Sequence, residues 1–274
     1  MKLTGNLRKM GSSLTGDLAH YNLRMCDVLE PLAEVELNSW VGHTVRMRWE
    51  GKIHCVETGK SIKKTYGEGM SFDAWRVSPR AVESIIRPEL SRIHEGIALR
   101  DMEWETEHHN KPHYVYLSHT SGVKVGVTRT SNVPSRWIDQ GAVQAVAIAE
   151  TPYRQLAGEM EVALKEHFND RTQWQAMLKS IDPQSVDLPA LREEVFDLLG
   201  EAYGDFYRYD DSVTVIRYPV EHYLPKVSSL KLEKMPEIES RLVGIKGQYL
   251  LFGNGLVFNV RSHAGYRIEL ELLD

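Results

Sequence analysis

The feature that most constrains the fold lies near the middle of the chain. Tyr114-Val115-Tyr116-Leu117 and Val123-Lys124-Val125-Gly126-Val127 are two runs rich in β-branched and aromatic residues, separated by the polar stretch Ser118 to Gly122. They read as a hairpin. Pro134 then opens a short helical stretch through Trp137, and Ala142 to Ala149 returns to an apolar run. Pro152 stands at the start of a helix that carries Leu156, Met160, Ala163 and Leu164 on one face. The order strand, strand, helix, strand, helix predicts an α+β protein whose centre is an antiparallel or mixed sheet with helices packed on it.

The flanks carry weaker patterns. Trp40 to Arg48 alternates apolar and polar residues and Gly51 to Cys55 continues it, after which Gly59, Gly67 and Gly69 punctuate a segment with little periodicity. This predicts an irregular, β-rich N-terminal lobe over 1–112. The central module is expected over 113–204. It is extended by a helix from Thr172 to Lys179 and another from Leu188 to Tyr203, where Leu191, Val195, Leu198 and Leu199 recur at helical spacing. Beyond Gly204 the short β candidates are Val213 to Tyr218, Leu242 to Lys246, Gln248 to Phe252, Leu256 to Val260 and Tyr266 to Leu270, which suit a small C-terminal β domain over 205–274.

Composition narrows the class. No stretch approaches the roughly 18 to 20 apolar residues needed to span a bilayer, and the first residues lack an apolar h-region, so a cytoplasmic protein without a membrane partner is expected. Cys26 and Cys55 are too few for a disulfide framework and read as free thiols. A formal net charge of −5 opposes non-specific coating of nucleic acid, so a nucleic-acid partner has to be argued from a local site. Oligomeric state is not legible in the chain.

Several motifs occur in a characteristic order: His113-Tyr-Val-Tyr-Leu117, Lys124-Val-Gly-Val-Thr-Arg129, Arg136-Trp-Ile-Asp-Gln-Gly-Ala142, Gly244-Ile-Lys-Gly-Gln-Tyr-Leu250 and Asn259-Val-Arg261. On these the chain resembles domain-of-unknown-function family 2797 from about residue 51 onward. That resemblance implies paired, zinc-binding cysteines in the N-terminal half, but here Thr58, Ser71, Ala74, Ser91, Ala98 and His109 stand at those places and only Cys55 remains. No structural zinc is expected. The centre, from about Tyr114 to Asn169, also looks like a GIY-YIG nuclease module. Tyr114-Val115-Tyr116 stands for the first tripeptide and Lys124-Val125-Gly126 for the second, followed by Arg136, Glu161 and Asn169 in the order of the superfamily's parts. The resemblance implies that Tyr116, with Tyr114 beside it, supplies a base, that Arg136 holds the phosphate, and that Glu161 carries Mg²⁺ or Mn²⁺. Lys124 takes the place of the second family tyrosine and could meet a phosphate as a point charge.

Read from the residues alone, alternatives stand beside each role. Tyr114 and Tyr116 share a strand face and could simply pack against a helix. Gly126 could permit close backbone approach. The stem of Arg136 could cover an apolar patch. Glu161, beside the apolar face of its helix, needs either an ion pair with Arg136 or Arg129 or a metal, and Glu159 is the competing carboxylate. Asn169 either belongs to the site or caps the helix near Thr172. His108, His109 and His113 could bind a metal or stand solvated in a loop. Lys226, Lys231, Lys234, Lys246 and Arg261, interleaved with Tyr223, Tyr249 and Phe252, could form a basic face with stacking aromatics, which Glu233, Glu237 and Glu239 weaken.

The expected function is therefore a divalent-metal-dependent phosphodiesterase acting on DNA or RNA. Tyr114, Tyr116, Lys124, Arg136 and Glu161 form its centre, and Arg129, Asn169, Lys246 and Arg261 contact the substrate. The alternatives are a nucleic-acid binder that has kept the fold without the chemistry, and a protein-interaction scaffold.

Overall fold

The computed structural model describes residues 1–168, 173–210 and 212–274, and the chain forms two compact units. The first combines Met1–Arg76 with Arg217–Asp274, and the second is Val77–Ile216. The fold is α+β.

In the first unit the ends of the chain are neighbours. Lys2–Leu7 pairs antiparallel with Tyr266–Leu272, which pairs in turn with Thr44–Ile53, and Glu237–Lys246 closes on the other side of Thr44–Ile53. These strands belong to one nine-stranded sheet. The division expected from the sequence, with boundaries at 112/113 and 204/205, differs from this one for a physical reason. Periodicity reports which face of a strand is apolar, and carries no information on its partner in the ladder. Alternation is clear in Tyr266–Leu272: Ile268 and Leu270 are buried, while Glu269 and Glu271 stand opposite Arg48 and Arg46 on the wet face. After Ile53 the chain is irregular up to the short helix Phe72–Val77, as the glycine spacing implies.

The second unit holds a four-stranded antiparallel sheet in the order Thr214–Val215, Gln144–Thr151, His113–His119, Val123–Arg129. The hairpin register sets Tyr116 opposite Gly126 and His113 opposite Arg129. Two helices, Arg154–Leu164 and Leu188–Leu199, pack with the sheet around Val115, Leu117, Val146 and Ile148, using Ala157, Met160, Leu164, Leu188 and Val195. Asp187 starts the second of these by accepting a hydrogen bond from the Ala190 N–H at 3.0 Å. The short helix that carries Arg136 is Ser135–Asp139, and the helix expected from Thr172 is seen as Trp174–Met177.

Gly158 fixes one contact that matters for the site. A Cβ there would stand 2.2 Å from the Glu89 backbone nitrogen and 2.6 Å from the Pro88 carbonyl carbon, so the segment Pro88–Leu90 lies directly on the helix. Neither neighbour is a flexible side-chain tip. Gly158→Ala is expected to lower stability by about 2–3 kcal/mol, measured as a fall in the urea midpoint with little change in slope.

Candidate functional site

Tyr116 is buried and its ring lies over Gly126, where a Cβ would meet the phenol oxygen at 2.5 Å. Gly126 therefore has a concrete task, which is to make room for the Tyr116 ring. The hydroxyl donates to Gln140 Oε1 at 3.0 Å and receives a hydrogen bond from the Arg136 guanidinium, and the ring stands edge-on to Trp137 at 6.0 Å. Burial pushes the phenol above its ordinary range, against the pull of Arg136 and Gln140. At neutral pH it is a proton donor that holds its two neighbours.

Glu161 projects from the helix Arg154–Leu164 with 15 % of its side chain exposed, and Lys165 reaches it at 3.6 Å. Burial raises its carboxyl above the usual range, although Lys165 and Arg154 act in the opposite sense, and nearby Glu89 adds to the rise. Glu89 gives one oxygen to Arg87, while its Oε2 is buried with no hydrogen-bond partner among the described residues. The charge of Glu161 also acts on the Tyr116 phenol, so the tyrosine, Arg136 and Glu161 occupy one electrostatic neighbourhood.

Arg154 belongs to the same neighbourhood and was not among the residues named from the sequence. Its Nε donates to the Ser84 carbonyl at 2.8 Å and its Nη2 to that of Ile85 at 2.9 Å. Burial brings this guanidinium down to about 10, Glu161 pulls the other way, and Arg136 and Arg129 repel it. A signal for it was present. An arginine in the first turn of a helix opposes the macrodipole, and one placed seven residues before Glu161 lies two turns away on the same stripe.

The remaining residues divide. Arg129 is half-buried and shifted down by desolvation, close enough to Arg154 for mutual repulsion. Lys124 stands opposite Ser118, two residues from Gly126, and so shares the strand face of Tyr116. Tyr114 has other company: its hydroxyl accepts from Arg208 at 3.2 Å, and that arginine lies over its ring and pairs with Glu150 at 2.7 Å. Asn169 lies outside the described residues.

Lys246 and Arg261 require correction. Both belong to the first unit, and Lys246 is fully buried, 5.2 Å and 5.3 Å from the ring centres of Tyr218 and Tyr223, with burial bringing its amine to about 7. A lysine enclosed in this way cannot contact a phosphate chain at the surface. Phe252 is buried as well, and Arg261 pairs with Glu68 at 3.0 Å, so Lys246 and Phe252 take no part in the C-terminal basic face that stood as one alternative.

The histidines also differ from expectation. His109 ends the helix Met102–His109 and His113 begins the hairpin; both are buried, and burial lowers them to about 3 and about 4. His108 stacks on Trp104 at 4.0 Å. No group of three or more histidine, cysteine or acidic side chains is placed to hold a metal among the described residues. No described helix is long and apolar enough to cross a membrane.

A sheet with a glycine-seated tyrosine, an arginine helix and a glutamate helix defines the class of this unit as an α+β module with a mixed cationic and acidic centre. The family model described as "Protein of unknown function (DUF2797)" matches residues 42–268, and the chain belongs to that family. Neither a curated protein nor a solved structure matches it.

Proposed function

We propose that the second unit is a divalent-cation-dependent phosphodiesterase that cuts nucleic acid through a GIY-YIG-like centre. The observation that carries this reading is that the Tyr116 hydroxyl accepts from Arg136 while Arg136, Glu161 and Arg154 lie in one electrostatic neighbourhood, with acidic and basic groups partly withdrawn from water. Guanidinium groups that repel one another are costly to gather, and an anionic phosphate relieves that cost.

In this mechanism Arg136 holds the scissile phosphate while the Tyr116 hydroxyl, itself fixed by donating to Gln140, accepts from Arg136. Tyr116 thus acts as a positioning residue, since a buried phenol with a raised pKa is a poor base. Arg154, Arg129 and Lys124 add positive charge where negative charge builds on the phosphate oxygens. Glu161 fits a hard cation by its carboxylate chemistry, and the unpartnered Oε2 of Glu89 adds negative charge nearby. A divalent cation, when bound, supplies polarisation of the phosphate and a more acidic water.

The test is a cleavage assay on labelled single- and double-stranded DNA and RNA, with Mg²⁺ or Mn²⁺ and with chelator, comparing the wild type with Glu161→Ala. Cleavage is expected to need the metal and to vanish in the variant. Intact substrate under every condition would contradict the proposal. The enclosed Tyr116 hydroxyl favours a second reading, a binder without chemistry, for which affinity would fall steeply with salt in both proteins while nothing is cut.

A further inference from the structure

The first unit carries an exposed group of aromatic rings that its own core does not use. Phe72 is 47 % exposed and Trp75 36 %, and their ring centres are 6.1 Å apart at an interplanar angle of 27°. Tyr66 joins them at 5.1 Å and 6.2 Å. Cations rim the group: Lys64 lies 5.2 Å from the Tyr66 ring centre and Arg76 lies 5.8 Å from that of Phe72, with exposed Lys63 alongside in sequence. Asp73 is the acidic residue of the same short helix.

The rings rest on a fixed base. Tyr66 and Met70 exchange backbone hydrogen bonds at 2.9 and 3.0 Å, the Val56 N–H donates to the Gly69 carbonyl at 2.9 Å, and the Ser71 N–H donates to the buried Cys55 sulfur at 3.2 Å. Gly67 has a φ of +54°, and a Cβ on it would stand 3.1 Å from the Trp75 ring, so the bare glycine lets the indole lie on the turn. Stacking surface held in place in advance loses little entropy when a partner arrives.

We infer that Tyr66, Phe72 and Trp75, with Lys63, Lys64 and Arg76, form a docking surface for single-stranded nucleic acid, whose bases stack on the rings while its phosphates meet the cations. Lys63, Lys64 and Arg76 make no ion pair among the described residues. Protein–protein contact surfaces are depleted in lysine, whereas cations without acidic partners beside exposed rings match a chain that carries both π-faces and phosphates. The surface belongs to the first unit and goes beyond the phosphodiesterase reading, which concerns the second.

The test is fluorescence anisotropy of a short labelled oligothymidylate, an abasic oligonucleotide of equal length and a duplex. The proteins, all measured in chelator, are the wild type, Phe72→Ala/Trp75→Ala, Trp75→Tyr and Lys63→Gln/Lys64→Gln. The wild type is expected to prefer the oligothymidylate to both other probes. The double ring variant loses at least about tenfold in affinity for it and little for the abasic chain, and Trp75→Tyr retains most of the binding. The lysine pair, which lies on the surface, lowers the salt dependence of log K by about 1.4 and serves if the ring variant fails to fold. Chelator keeps metal-dependent cleavage out of every reading, so a failure of this inference and a failure of the catalytic reading are distinguishable. No binding by the wild type, equal affinity for the abasic chain, preference for the duplex, or an unchanged affinity in a natively folded ring variant would overturn the inference and leave the surface to a protein partner.

Discussion

Replacing Glu161 by glutamine is expected to raise the urea midpoint of the folded chain at neutral pH while lowering metal-dependent cleavage by at least about a hundredfold. The two effects come from the same burial. The carboxyl is held above its usual range in the fold, chiefly by desolvation, so the ionised form costs the folded state free energy. For a group raised in this way the stabilising contribution is complete below the unfolded value, 4.5, and is lost as pH rises through the folded one. Wherever the folded chain holds the group ionised the cost is present, and an amide of the same shape removes it. The opposing contributions are the charge of Arg154 and the pair with Lys165, whose side chain is 36 % exposed; at helical i,i+4 spacing such a pair is worth only about 0.3–0.5 kcal/mol. A structural ion pair gives the opposite result, because its loss destabilises. Urea titrations of wild type and variant at pH 7 therefore separate a carboxylate kept for chemistry from one kept for the fold.

A second large effect is expected in acid. His109 and His113 are lowered to about 3 and about 4, in each case mainly by burial, with neighbouring charges such as Arg154 and Arg129 adding to it. The fold binds them neutral, so their contribution is present above the unfolded value, 6.5, and is lost as pH falls towards the folded values. While only the unfolded chain takes up the two protons, stability falls by about 2.7 kcal/mol per pH unit, a slope that consumes much of a typical domain's stability by pH 4.5. Protonation of Glu161 works in the other direction over part of this range, so the measurement is cleanest in Glu161→Gln. Urea midpoints from pH 7.5 to 4.5 are expected to fall steeply there, and His113→Asn is expected to remove about half of the slope. An unaltered slope in that variant would mean that His113 already carries its proton in the fold.

What could be read in the chain beforehand follows from the range of the interactions. The hairpin, the arginine helix and the glutamate helix are legible because alternation and helical spacing are local, whereas Tyr116, Arg136 and Glu161 are singled out on them only by the resemblance to a GIY-YIG module. Pairing Lys2–Leu7 with Tyr266–Leu272 joins the two ends of the chain, and no local pattern records it. Arg154 was missed because its role depends on the carbonyls of Ser84 and Ile85, about seventy residues earlier. Lys246 was misplaced because a lysine in a strand is ordinarily a surface residue, whereas here it closes a run of five buried positions. The aromatic surface at Tyr66, Phe72 and Trp75 lay in a segment whose lack of periodicity concealed it, since its order comes from turns and backbone hydrogen bonds.

The most direct test of the catalytic centre is to measure single-turnover cleavage of one labelled oligonucleotide by the wild type, Tyr116→Phe, Arg136→Gln, Glu161→Gln and the triple variant. If the residues act as a unit on one phosphodiester, the wild type cuts with metal, Arg136→Gln and Glu161→Gln each lose most of the rate, and the triple variant is scarcely worse than either. A wild type that does not cut, or Arg136 and Glu161 variants that cut as it does, would contradict that centre.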